Sequence, residues 1–370
     1  MNRALRVDLG KRAGVASGLL GVLCVLAQLC FLLPDLLVTR DALPFYLAHL
    51  EVFRGILAGA IAATFVLGAA SLALLRSKAH GLLGISLGAI TLLMGGPWAQ
   101  AIDAGGGSVA AGLDYFVLEL LVLGLLFVPL ERVWALREQR IFRAGWQTDL
   151  KHFFVSHAGV QLLSFAAMVP AHSLFSWAVQ LGFQKPVAAQ PLWLQFIEIL
   201  LVVDFTTYWV HRAFHQVPWL WSFHAIHHSS RQLDWLAGSR MHLVDVLVTR
   251  SAAYLPVFLL GFAPGALYAY LAFVSIHAVF IHANLRWRFP YLRWLMATPE
   301  YHHWHHSSDE EGIDRNFASF LPLWDLAFGT AQQPDHWPRN YGTVKFQPPE
   351  DYLGQLLYPF RRHGERTPYG

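Results

Sequence analysis

Twelve of the nineteen histidines fall between positions 211 and 306, about a quarter of the chain. His211-Arg-Ala-Phe-His215 sets two imidazoles four residues apart, a spacing that puts both on one face of a helix. His224-Ala-Ile-His227-His228 follows nine residues later. There His224 lies one turn from both 227 and 228, while the adjacent pair splays by about 100° at 3.6 residues per turn, so one HxxHH unit can serve two metals. His302-His303-Trp304-His305-His306 repeats the pattern at 302, 305 and 306, with His303 pointing off that face. Eight imidazoles are too many for one tetrahedral zinc, which takes four ligands and only three in catalytic sites. They suit two metal ions. Imidazole accepts zinc, copper, iron and nickel alike, so the residue types leave the metal open.

Other residues attach to this set. His282, in His-Ala-Asn where the last apolar stretch ends, is expected as a further ligand. His242, in Arg-Met-His after the second motif, is a candidate either as a ligand or as a donor to one. His277 lies five residues before His282 and is expected to be packed. Asp204 sits inside an apolar stretch seven residues before His211, and an ionisable group there defaults to a functional role. A carboxylate accepting the free ring N–H of a metal-bound histidine would fix its tautomer; that role is expected of Asp204, with helix capping or a pair with Arg212 as the alternatives. Asp314, Asn316 and Asp325 follow the last motif and are candidates to brace it from outside, Asp325 equally as a turn cap.

The elements that position these residues are membrane helices. The chain of 370 residues is 55% hydrophobic and 14% charged, with mean hydropathy +0.40. Soluble domains carry about 25% charged residues. Fourteen Trp fit the aromatic enrichment of membrane interfaces. A net charge of only +3 implies no nucleic-acid partner. Cys24 and Cys30, the only cysteines, read as small buried hydrophobes rather than as a disulfide framework. Apolar stretches long enough to span, about 20 residues each, are expected at roughly 14–34, 52–75, 80–101, 113–136, 152–180, 191–212, 243–261 and 264–284. The first is read as a retained span rather than a signal peptide. Arg3, Arg6, Lys11 and Arg12, then Arg76 and Lys78, then Arg132, Arg137, Arg140, Arg143 and Lys151 occupy alternate loops, and 102–112 has no Lys or Arg. Basic loops face the cytoplasm. Eight spans then place the N-terminus and all three histidine motifs on the cytoplasmic side. The expected fold is all-α: a polytopic transmembrane bundle with a helical histidine cap on that face. Three regions follow: a four-span part at 1–140 of unassigned role, a catalytic part at 147–330, and a polar, aromatic, Pro-rich cytoplasmic tail at 331–370.

The strings HRAFH, LWSFHAIHHSS, HAN, TPEYHHWHHSS and RNFASFLPLWDLAFGT resemble the fatty acid hydroxylase/sterol desaturase superfamily over about 147–330. The tail (Tyr341-Gly342, then Gln355 to Phe360) is similar to its bacterial members. The resemblance implies a di-iron centre, two iron ions held by His211, His215, His224, His227, His228, His302, His305 and His306, with His282 matching a further family histidine. His242 falls where members often have His-Pro, but Leu243 follows it here. The implied chemistry is O2-dependent hydroxylation or desaturation of a sterol, fatty acyl or ether lipid in a bacterial inner membrane. Electrons would come from NAD(P)H through a separate electron-transfer protein, ferredoxin- or cytochrome-type. Tyr208, Trp209, Phe214 and Trp304 lie beside ligands and either line a substrate route or pack.

Competing chemistries fit less well. A zinc hydrolase needs a general base beside the histidines, as in HExxH, and the motifs contain none. A bis-His haem protein uses one axial pair, not eight imidazoles at one face. A metal-binding store or transporter predicts polar residues through the spans, which are apolar beyond Asp204 and a few others.

Overall fold

The computed structural model describes residues 3–40, 42–75, 78–101, 112–158, 160–182, 184–345 and 347–361. Arg76 and almost all of the loop 102–112 fall outside them. Every regular element among the described residues is helical, and two isolated backbone bridges, Ala135 with Leu285 and Ser307 with Tyr341, are the exceptions.

The chain forms two units. The first holds residues 1–120 and 157–162. Its long helices are α1 (Arg3–Leu32), α4 (Leu50–Leu74) and α5 (Ala79–Leu93), with short α2 (Pro34–Leu37) and α3 (Leu43–Ala48) between them. These helices approach closely because small residues meet. A Cβ added at Gly84 would overlap Ser17 Oγ, and that hydroxyl donates to Thr64 O at 2.7 Å. Such small-residue contacts are the usual way for helices to associate in lipid. Cys24 packs with Leu57 and Ile61. Both cysteines are free thiols.

The second unit holds residues 121–156 and 163–370, so residues 121–140 group with the histidine motifs rather than with the N-terminal part. Its helices are the end of α6 (Leu113–Val133), α7 (Trp146–Ala158), α8 (Val160–Phe175), α9 (Gln184–Ala188), α10 (Leu192–Gln216), α11 (Pro218–His224), α12 (Leu243–Leu260), α13 (Pro264–His282), α14 (Pro299–His305), α15 (Leu323–Ala327) and α16 (Tyr352–Leu357). Ile199 and Val203 of α10 pack on Val257 of α12 and on Ala266 and Tyr270 of α13. Punctuation follows the sequence. Pro218, Pro264 and Pro299 each occupy the first helical position, where a missing N–H costs nothing. Gly261 ends α12 in the left-handed conformation at φ 70°, as glycine does at a helix C-terminus.

Seven helices among the described residues are long and apolar enough to cross a membrane: residues 6–32, 50–74, 79–98, 113–133, 192–216, 243–260 and 264–282. Among the described residues, the expected span at 152–180 carries α7 to Ala158 and α8 from Val160, with residue 159 outside them. α7 carries Asp149 and His152, both buried against polar partners. Leu163–Val179 is the apolar helix within the stretch. The chain still travels from one end of the bundle to the other in this region. His152 Nδ1 bonds Met241 O, just before α12 begins, whereas Gln184 Nε2 donates to Phe258 O and Leu259 O, where α12 finishes. His172 in α8 lies midway, its Nε2 3.3 Å from Tyr254 Oη.

Candidate metal centre

The C-terminal ends of α10 and α13 and the short helices α11 and α14 bring nine imidazoles together in two groups. His211, His215, His224, His228 and His305 form one; His227, His282, His302 and His306 form the other. Within each group, one nitrogen per ring lies within 4.8 Å of all the others. Each HxxHH motif is divided between the groups. His224 and His228 join the five-histidine group while His227 joins the four. His302 and His306 join the four while His305 joins the five. The groups abut, with the rings of His228 and His306 stacked at 4.5 Å between centroids.

Six of the outward nitrogens face acceptors, while His302 Nδ1 is buried without one. In the five-histidine group, His211 Nδ1 donates to Phe317 O at 2.7 Å, His224 Nδ1 to Asp245 Oδ2 at 2.7 Å and His305 Nδ1 to Arg315 O at 2.9 Å. His215 Nδ1 lies 3.3 Å from Asp314 Oδ1. In the other group, His227 Nδ1 donates to Arg240 O at 3.2 Å and His282 Nδ1 to Ala278 O at 2.6 Å. Such partners select the tautomer and leave Nε2 as the electron-pair donor.

The inward nitrogens crowd one another. His302 Nε2 and His306 Nε2 each lie close to His282 Nε2, at 3.0 and 3.1 Å, and His211 Nε2 lies 2.9 Å from His224 Nε2. The Nε2 atoms of His215, His228 and His305 are buried with no hydrogen-bond partner. Buried polar atoms rarely stay unpaired, and inward-facing lone pairs without donors are what a cation satisfies. Burial, reinforced by the neighbouring imidazoles, also pushes His227, His228, His302, His305 and His306 well below the ordinary imidazole range. They are neutral at pH 7, the form that binds metal. The donor set therefore fits two metal ions, one per group.

The remaining candidates take other places. His242 does not reach either group: its Nδ1 accepts from Val244 N–H, capping α12, and its Nε2 donates to Leu356 O. A histidine with both nitrogens used in this way has none for a metal. His303 is likewise occupied, by Tyr341 Oη and Ala283 O, and burial pushes it down to about 3. His277 bonds Ala297 O. Asp204 touches no histidine. Its carboxylate accepts the backbone N–H groups of Ser319, Phe320 and Leu321 at 3.2, 3.0 and 2.7 Å. Asp325 accepts from Phe317 N, Ala318 N, Tyr301 Oη and Thr330 Oγ1. The two carboxylates thus pin the strip 317–321, which presents Phe317 O to His211. Asn316 clamps the same loop through Tyr301 O and both backbone groups of Gln332. Asp314 and Asn316 have φ of 53° and 60°, a left-handed region that Asp and Asn tolerate best after glycine. The double kink aims Arg315 O at His305. Tyr208, Phe214 and Trp304 are fully buried packing residues, while Trp209 is 43% exposed.

Asp245 was not among the sequence candidates. It lies in the first turn of the apolar helix α12, so the reasoning that singled out Asp204, an acid within a span, applied to it equally. The tail also packs here: Tyr358 joins Trp221, Ala225 and Ile226 in one core cluster.

The family model for fatty acid hydroxylase matches residues 196–330, a segment that contains all nine imidazoles. Ornithine lipid hydroxylase from Rhizobium tropici is 29% identical over 255 residues, 66% of this chain and 73% of that protein. Human alkylglycerol monooxygenase is 34% identical over 131 residues, 35% of this chain and only 29% of that protein. Methylsterol monooxygenase 1-3 from Arabidopsis thaliana is 26% identical over 181 residues, 48% of this chain and 56% of that protein. No solved structure matches the chain.

Proposed function

This chain belongs to the fatty acid hydroxylase family, and from that premise we propose that it inserts one oxygen atom from O2 into a C–H bond of a membrane lipid at a di-iron centre. The observation that carries the proposal is the pairing of two buried imidazole groups at the ends of apolar helices. The relatives are named hydroxylase and monooxygenase, which favours hydroxylation over desaturation; their names span an ornithine lipid, an alkylglycerol and a methylsterol, so the substrate is read as a membrane lipid.

Two irons bound there would supply the oxidant for an unactivated C–H bond, which no side chain provides. The five-histidine group would hold one and the four-histidine group the other. The reaction balances as lipid C–H, O2, two electrons and two protons giving lipid C–OH and water. The electrons come from outside the chain, in our reading from NAD(P)H through a separate ferredoxin- or cytochrome-type protein. The chain's own part is positional. Phe317 O, Arg315 O and Asp245 hold ring protons outward on Nδ1. Trp304 and Tyr301, on the same short helix as His302 and His305, are fully buried and anchor it through His336 O and Asp325.

We place the N-terminus and the centre on the cytoplasmic side of a bacterial inner membrane. Arg137 and Arg143, in the basic stretch after α6, bond Asn284 and Asp234 at the histidine-bearing end, and basic stretches mark cytoplasmic faces. Comparative lipid mass spectrometry of cells with and without the protein tests the function. A lipid class gaining one oxygen is the expected result; a loss of two hydrogens, or no change, overturns it. A C-terminal reporter active only outside the cytoplasm would refute the orientation.

A further inference from the structure

Four charged side chains lie buried together away from the imidazoles. Arg143 Nη2 bonds Asp149 Oδ2 at 2.6 Å and Asp234 Oδ1 at 2.7 Å, and Arg143 Nε bonds Asp234 Oδ2 at 2.8 Å. Arg240 Nε bonds the other oxygen of Asp149 at 2.5 Å. Side-chain exposure is 6% or less for all four. Arg143 and Asp149 precede the family-matched segment 196–330, so that segment does not contain the whole quartet.

Buried ion pairs add little net stability, because desolvation offsets their attraction. What this quartet does is hold the loop 234–240. Asp234 Oδ1 accepts the N–H groups of Leu236 and Ala237, winding the turn Ala237–Ser239. In that turn Gly238 lies against the ring of His282: a Cβ there would sit 2.7 Å from Nδ1 and 2.9 Å from Cγ. At the far end of the loop, Arg240 is fixed by Asp149 and by Ser229 Oγ, and its carbonyl takes the Nδ1 proton of His227. His227 and His282 both belong to the four-histidine group.

We propose that Arg143, Asp149, Asp234 and Arg240 are positioning residues for the four-histidine metal site, acting through Arg240 O on His227 and through Gly238 on His282. The inference rests on the two-metal reading above. It makes the segment before the family-matched region part of the metal site's support.

The test uses the full-length protein in detergent, loaded with iron and challenged with a chelator. Iron per chain and Mössbauer spectra are read on wild type, Asp149→Asn and Gly238→Ala. Loss of such supporting partners typically weakens a metal by about 10–100-fold, so both variants are expected to lose iron from one site selectively, the remaining iron keeping its wild-type signature. Asp245→Asn is expected to weaken the other signature instead. Variants that keep both irons with unchanged spectra, or lose both in parallel, overturn the proposal. If Asp149→Asn does not fold, Asp234→Asn decides in the same readout, since it weakens the pair with Arg143 while its amide oxygen still accepts the N–H groups of Leu236 and Ala237. Wild-type protein holding fewer than two irons would overturn the underlying two-metal reading instead.

Discussion

The two imidazole groups differ in what holds them. The five-histidine group leans on carboxylates and one loop: Asp245 on His224, Asp314 beside His215, and the strip 315–317 giving carbonyls to His305 and His211. Among the described residues no carboxylate hydrogen-bonds the four-histidine group; its outward partners there are backbone carbonyls of Arg240 and Ala278. A carboxylate makes an imidazole a stronger donor than a carbonyl does. The comparison teaches that two sites built from the same residue type are electronically unequal, and that the inequality is set outside the ligands.

Removing a ligand has the largest expected effect. His228→Ala and His306→Ala each should abolish turnover, and each should lower iron content; full product formation by either variant would sink the assignment of both groups. Asp245→Asn separates the two groups. Iron at the five-histidine site should bind about 10–100-fold more weakly, measured by chelator competition, with the other site unchanged. Asp325→Ala acts at one remove. It leaves the N–H groups of Phe317 and Ala318 without acceptors, at a cost of about 2–4 kcal/mol; a lowered melting temperature and loosened iron at the five-histidine site should appear together.

The mildest effect belongs to pH. Burial pushes His152 from 6.5 down to about 4, and its ring sits between Met241 O and Gln355 Oε1, the neutral form donating to one of them, where the tail meets the loop before the four-histidine site. The unfolded chain takes up this proton below about 6.5 while the folded chain resists until about 4. Stability from this group is therefore complete above that window and declines as pH falls through it, by up to about 3 kcal/mol. His152→Gln should flatten that part of a stability–pH profile; an unchanged slope would contradict the assignment.

Much of the centre was legible because metal ligation imposes spacing. The helical offsets in 211–215, 224–228 and 302–306 announced that adjacent histidines face different ways, and His303 off the face. His282 was reached only through its place at a helix end and the family resemblance. What stayed hidden was pairing across long separations. Nothing local tells that Asp204 would serve backbone N–H groups 115 to 117 residues away, or that Asp245 would meet His224. His242 looked like a ligand because capping by a histidine ring leaves no motif. Hydropathy over 152–180 likewise does not reveal that His152, at the start of the stretch, is claimed by polar partners.

The division of each HxxHH motif between the two groups has a consequence for how the centre can change. Because α11 with the turn after it, and α14, each deliver rings to both sites, the separation between the sites is gauged by the rise of a short helix rather than by anything lying between the metals. The intervening Ala225, Ile226, His303 and Trp304 fix that separation by their number. A single inserted residue would rotate the later rings by about 100° and disable both sites at once, so a change of spacing in either motif never costs one site alone.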